Sequence, residues 1–346
     1  MSAESGVVTF RVPDPDRDLL GVRLFQDVRI PGDRLDFAYR DGSWTLTIDR
    51  PPVSRMEYLF ELRHGDGGTE NVLDVGNPCQ VDGAFGPKSV LEFASYSPPA
   101  WLASGAEAGD REDLAVPVRG LGPAATIAVR IWSPAGAPPD EPLPLLVVHD
   151  GPEFDSLASL TRYLAAGVTG EWLPRLRAAL LSPGSRDDWY SANPAYARAL
   201  RQAVIPAITG RFASKARIGM GASLGGLAML HEHCRYADSF DALFLQSSSF
   251  FSPRYDEHEQ RFPGYKRIVR FVTSVHRGNL PGRPIPVVLT CGVIEENVAN
   301  NRLMEQTLQA RGYPASLQEV SDVHNYTAWR DALDPQLTAL VWQVCP

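Results

Sequence analysis

Gly221, Ser223 and Gly225 form a GxSxG within RIGMGASLGGLAML, Arg217 to Leu230. A serine hydroxyl is a weak nucleophile. It needs an adjacent base, a group that orients the base, and donors for the oxyanion its attack creates. A GxSxG meets the first geometric demand when the serine sits on a sharp turn between a strand and a helix. The turn exposes Oγ at the end of a sheet, the flanking glycines leave room for it, and the N–H of the next residue, here Leu224, faces the oxyanion. Composition alone supplies about 0.2 such matches in a chain of this length, so the setting carries the weight. ARIGM reads as a strand and LGGLAML as the opening of a helix, with Ser223 at their junction. The competing reading is a plain Gly-rich connection.

An elbow of this kind is followed in chain order by an acid and then a histidine. Five histidines follow Ser223: His231, His233, His258, His276 and His324. His231 and His233 are two apart on the elbow helix, on different faces, and read as surface or satisfied core residues. His258 and His276 fall in an insertion and read as solvated. His324 follows the last strand, in SDVHNYTAW, where catalytic groups gather at the carboxyl end of a sheet; it is the expected general base. For the acid, LTCGVIEEN offers Glu295 first and Glu296 second, just past an apolar strand. Asp322 ranks third, because two residues from His324 it is awkwardly placed to reach the far ring nitrogen. The second oxyanion donor is expected from the loop after LLVVHDG, where Gly151 permits close backbone approach beside Asp150.

The elements that must position these groups fall into two parts. GVVTFRVPD, LLGVRLFQDV, SWTLTIDR and MEYLFELRHGDG are short strand-like runs, and HGDGG is a hairpin signal because Asp-Gly accepts positive φ. Residues 1–102 are therefore expected to be an all-β, Ig-like sandwich. ASGAEAGDRED, 103–113, reads as a linker. Over 114–346, two hairpin strands are followed by alternating strands and helices, and PLPLLVVHDG is a strand buried on both faces. That pattern predicts an α/β domain with a mostly parallel sheet. Residues 252–282 interrupt it as a partly helical insertion.

Composition bounds the function. A net charge of −8 argues against a general nucleic-acid binder. Cys79, Cys234, Cys291 and Cys345 show no metal or disulfide spacing. No signal-peptide pattern and no apolar run near ~18 residues is present, so a cytoplasmic protein without membrane contact is expected. Oligomeric state is not readable.

HDGPEF, SRDDWYSANPAYARAL, GASLGGLAML, TCGVIEENVANNRLM and HNYTAWRDAL occur in the order found in the esterase D-like family of α/β-hydrolases. The chain resembles most the enterochelin (ferric siderophore) esterase branch, which also places an Ig-like (E-set) module before the hydrolase domain. The branch likewise ends on a histidine followed by an aromatic–Arg pair, here Trp329 and Arg330. The resemblance implies Ser223 as nucleophile, Glu295 as acid, His324 as base and the Leu224 N–H as one oxyanion donor. The family's other donor falls on Pro152, which has no N–H, leaving Gly151 or Glu153 to supply it. Its substrate-clamping arginine corresponds to Arg186, with Trp189, Tyr190 and Asp150 as further pocket residues. A small-molecule ester, of siderophore type, and no metal or organic cofactor are implied. The readings held beside it are a general carboxylesterase, an acyltransferase, and a non-catalytic binding protein that keeps the fold.

Overall fold

A computed structural model describes residues 6–106, 108–279 and 283–345. It divides into two compact units. The first runs to Ser97 and also takes in Gly292–Glu295 and Val320–Asn325; the second holds the remaining residues from Pro98 onward.

Among the described residues up to Ser97, the first unit contains only β-sheet and short 3-10 turns. Its strands are β1 (Val7–Pro13), β2 (Leu19–Gln26), β3 (Ala38–Arg40), β4 (Ser43–Asp49), β5 (Arg55–His64), β6 (Thr69–Val72), β7 (Gln80–Gly83) and β8 (Gly86–Glu92). One antiparallel sheet has the order β1-β4-β3 and the other β2-β5-β8-β7, with β6 paired to β5. Along β1, Val8 and Phe10 are buried while Val7, Thr9 and Arg11 are exposed, the period-2 pattern of a strand with one covered face. Phe10, Tyr58, Phe60 and Phe37 pack edge to face between the sheets, joined in the same core by Val323 from the second returning segment. The His64–Gly68 hairpin forms as its sequence predicts: Gly67 has φ +85° and the Asp66 side chain accepts from the Gly68 N–H at 2.8 Å.

The second unit is built on one eight-stranded sheet. Its strands are β9 (Asp110–Pro117), β10 (Thr126–Ser133), β11 (Leu143–Val148), β12 (Arg177–Leu181), β13 (Ser214–Ala222), β14 (Ala242–Gln246), β15 (Val287–Gly292) and β16 (Ala315–Val320). β9 begins at Asp110, inside the stretch expected to be a linker. The order is β16-β15-β14-β13-β11-β12-β10-β9. β9 and β10 form the expected antiparallel hairpin and β10 pairs antiparallel with β12. From β12 through β11, β13 and β14 to β15 the pairing is parallel. Every residue of β11, β12 and β14 is buried. Successive side chains point to opposite faces: Leu145, Val147 and Leu245 enter one apolar cluster, and Leu146, Val148 and Phe244 the other. This two-sided core is why β11 reads as a continuous apolar run. The mixed architecture is that of an α/β-hydrolase preceded by a β module.

The helix expected over NPAYARALRQAVIPAITGRF is three segments. Pro194–Ala199 and Ile205–Arg211 are α-helical, and Leu200–Val204 between them is π-helical. Pro206 lacks an N–H and crowds the carbonyl four residues back, and widening the preceding turn accommodates both defects.

Candidate active site

Within the second unit, β13 ends at Ala222 and a helix begins at Leu224 and runs to Arg235. Ser223 at the junction has φ 55° and ψ −125°, a conformation that costs a non-glycine residue of order 1–3 kcal/mol. Several bonds hold it there. The Ser223 N–H donates to Gln246 O at 2.9 Å, and the Ser249 N–H donates to Ser223 O at 3.1 Å. Gly221 and Gly226 are required by space. A Cβ on Gly221 would stand 2.5 Å from the Gly225 backbone, and one on Gly226 2.1 Å from Ser248 Oγ. Leu224 is the first residue of its helix, so its N–H has no intrahelical acceptor by position. Ser223 Oγ lies 3.1 Å from Ser249 Oγ. That contact went unread in the sequence, where SSSFF signals only a small polar run after a strand.

At the neighbouring strand end, His149 is fully buried and Asp150 is left-handed, with φ 51° and ψ 39°. Gly151 opens the helix Gly151–Ala158, and a Cβ there would meet the Leu180 backbone at 2.4 Å. Burial lowers the His149 pKa to about 4, so its ring is neutral. Tyr196 Oη and His149 Nε2 are 2.8 Å apart and His149 Nδ1 and Gly225 O are 2.9 Å apart. Gly225 O can only accept, so Nδ1 carries the proton and Nε2 accepts from the tyrosine. This clasp ties the HDG turn to the elbow helix.

Arg186 makes a two-pronged bond to Asp150, Nε to Oδ1 at 2.9 Å and Nη2 to Oδ2 at 2.8 Å. Burial opposes the guanidinium charge, but Asp150 outweighs it and raises the Arg186 pKa. A hollow of about 500 Å³ is lined by Arg186, Asp187, Asp188, Pro263, Gly264 and Arg267, and Ser223 is not among its lining residues. Tyr190 and Trp189, expected at the pocket surface, have 0% and 6% exposure. Tyr190 stacks on His149 at 4.4 Å and Trp189 on Tyr196 at 5.8 Å. Aromatic residues next to an arginine fit a pocket wall or a core equally well in sequence; here both rings are buried, and Tyr190 Oη accepts from the Asp150 N–H at 3.4 Å with the Arg186 guanidinium 5.6 Å from its ring centre.

Within the first unit, Glu295 is 2% exposed and its Oε2 lies 3.7 Å from His324 Nδ1, inside ion-pair reach and beyond a direct hydrogen bond. The other two acids are engaged elsewhere. In the second unit, Glu296 is exposed and 3.2 Å from His258 Nε2. Asp322 Oδ1 accepts from the Val323 N–H at 2.8 Å and from Asn325 Nδ2 at 3.0 Å, while Oδ2 is 3.5 Å from Arg55 Nη1. Burial raises the Asp322 pKa to about 6 against the pull of Arg55.

The remaining histidines are distributed as follows. His231 and His233 are both buried, with His233 Nε2 3.2 Å from Tyr313 Oη. His276 is half-buried, 2.7 Å from Thr307 Oγ1. His258, Glu259 and Glu296 place ligand-type atoms within 4.8 Å of one another, a juxtaposition with no spacing signal in the sequence. None of the four cysteines is in a disulfide. Among the described residues no helix is long and apolar enough to cross a membrane.

A family model described as "Putative esterase" matches residues 123–340, more than half of the chain. Among solved structures, the chain is similar to the enterobactin esterase of Shigella flexneri in the presence of enterobactin. The TM-score is 0.77 at 19% identity, with 97% of this chain and 93% of that chain covered. It is similar also to the ferric enterobactin esterase of Salmonella typhimurium, with TM-score 0.78, 20% identity and coverage of 97% and 93%. S-formylglutathione hydrolase of Staphylococcus aureus matches with TM-score 0.51 at 14% identity, over 67% of this chain and 100% of that one. No curated protein matches by sequence.

Proposed function

Since the chain belongs to the esterase family, we propose that it hydrolyses carboxylic esters through Ser223, His324 and Glu295. Ser223 Oγ attacks the ester carbonyl while His324 Nε2 takes its proton. Glu295, facing Nδ1, orients the ring and stabilises the imidazolium. The N–H groups of Leu224 and Gly151, each the first of a helix, receive the oxyanion. His324 then returns the proton to the departing alkoxide. Water, activated by the same imidazole, cleaves the acyl-enzyme and restores Ser223. The steps use side chains, backbone amides and water alone.

The observation that carries this reading is the strained backbone of Ser223 in a turn where Gly221 and Gly226 admit no side chain. A plain Gly-rich connection has no use for a serine at φ 55°. The test is hydrolysis of a p-nitrophenyl ester by the wild type beside Ser223→Ala and His324→Ala. Each variant is expected to lose at least ~10³-fold in kcat; retention of wild-type rates by Ser223→Ala overturns the reading.

For the substrate we propose an oligo-ester of siderophore type, as the names of the similar structures suggest. Arg186 is the cation we assign to an anionic catechol, although Nε and Nη2 are already committed to Asp150. Comparison of kcat/KM on a catecholate tri-ester and on simple aryl esters checks this point. Faster turnover of the aryl esters would replace it with a general carboxylesterase.

A further inference from the structure

We propose that Arg55, at the start of β5 in the β module, is a positioning residue that holds the His324 loop in register for catalysis. The inference rests on the reading of His324 as the general base.

Arg55 is 2% exposed, and an arginine is rarely buried unless its charge is met. Its Nη1 is 2.9 Å from Glu57 Oε1, 3.5 Å from Asp322 Oδ2 and 3.5 Å from Asn325 Oδ1. Its guanidinium carbon stands 5.8 Å from the centre of the Tyr96 ring. Glu57 in turn has Lys88 Nζ at 3.9 Å. Asp322 and Asn325 are the residues that bracket Val323 and His324. They bond to each other at 3.0 Å, Asp322 Oδ1 caps the Val323 N–H, and the Asn325 N–H donates to Val323 O at 3.0 Å. Next to Arg55, the Ser54 N–H donates to Ser321 O at 2.7 Å. Val323 itself is buried in the β-sandwich core. One buried cation thus ties both ends of a four-residue turn whose third residue is His324, and anchors that turn to a strand.

A structural anchor and a positioning residue both lower stability when removed, and they part in kinetics. A base misplaced by about 1 Å costs on the order of 100-fold in rate with little change in substrate binding. The experiment measures kcat and KM on a p-nitrophenyl ester, and the thermal midpoint, for Arg55→Lys, Arg55→Met, His324→Ala and Arg55→Met/His324→Ala. All are assayed at a temperature where circular dichroism shows the native fold. Arg55→Met is expected to lower kcat about 30–100-fold with KM within threefold. Arg55→Lys keeps the charge but not the fork and is expected to recover part of that loss. On the His324→Ala background, Arg55→Met is expected to cost nothing further, since the group it positions is gone.

Wild-type kcat in folded Arg55→Met, or an equal fractional loss on both backgrounds, overturns the proposal. If Arg55→Met does not fold, Arg55→Lys carries the same comparison on both backgrounds, and unchanged kcat there also overturns it. Wild-type activity in His324→Ala instead overturns the assignment of the base. The two failures are therefore distinguishable.

Discussion

Ser223 holds φ 55° in a turn whose Gly221 packs directly on the Gly225 backbone, and this makes that glycine as testable as the serine. Gly221→Ala places a methyl 2.5 Å from the Gly225 backbone, with no flexible group to yield. It is expected to lower the thermal midpoint by several degrees, through a loss of about 1–3 kcal/mol, and kcat by more than tenfold. A variant with wild-type midpoint and rate would show that the turn is slack. The three acids near His324 separate in the same way. Glu295 faces the histidine, whereas Glu296 is exposed beside His258. Glu295→Gln is expected to cost ~10²–10⁴ in kcat, and Glu296→Gln to stay within about twofold. Equal losses in the two variants would move the acid elsewhere. Sequence position ranks Glu295 before Glu296 and Asp322 but does not separate the adjacent pair by burial, because local turn geometry past a strand end is not encoded in composition.

At the scale of elements, the elbow helix sets a pH dependence of stability. Every residue from Leu224 to Cys234 is buried, so His231, Glu232 and His233 are all enclosed despite being consecutive. Burial lowers His231 to about 3 and His233 to about 4, and raises Glu232 to about 8. Unfolded histidine titrates near ~6.5. As pH falls from there toward 4, the unfolded chain binds protons the native helix refuses, and stability drops. Glu232 has the opposite sign: its folded pKa is raised, so its contribution is present below the unfolded value near ~4.3 and is lost as pH rises toward 8. Glu232→Gln is therefore expected to flatten the alkaline decline in the urea midpoint between pH 5 and 8, leaving the acid-side fall in place. An unchanged slope from pH 5 to 8 would contradict this.

The strands were largely readable. A continuous apolar run marks β11, alternation marks β1, and Asp-Gly marks the hairpin of β5 and β6, because each signal is local. The π-helical turn before Pro206 was not readable, since Pro alone does not say whether a helix ends or widens. For His231 and His233 the sequence leaves surface and core open, because helical periodicity assumes one solvated face, and the core alternative is the one found.

For the whole molecule, the least readable feature was which parts of the chain share a core. Composition suggests a boundary near 102, yet Gly292–Glu295 and Val320–Asn325 belong with the β module. The contacts responsible join residues such as Arg55 and Asp322, 267 positions apart, and no local pattern reports a pair so distant. Removing the chain up to Ser97 would strip Val323 of the sandwich core that buries it, at a cost of roughly 1.5–3 kcal/mol for that side chain alone. The truncated chain is expected to lose ester hydrolysis more than tenfold even where it remains soluble; full kcat/KM in the truncated chain would contradict a supporting role for the module. The central claim, that the chain is a serine esterase acting through Ser223, is met most directly by treatment of the intact protein with a fluorophosphonate and peptide mass spectrometry. The account predicts one phosphonyl group per chain, on Ser223, with parallel loss of p-nitrophenyl ester hydrolysis and no labelling of Ser223→Ala. Hydrolysis that persists after complete labelling, or a label on another residue, would contradict it.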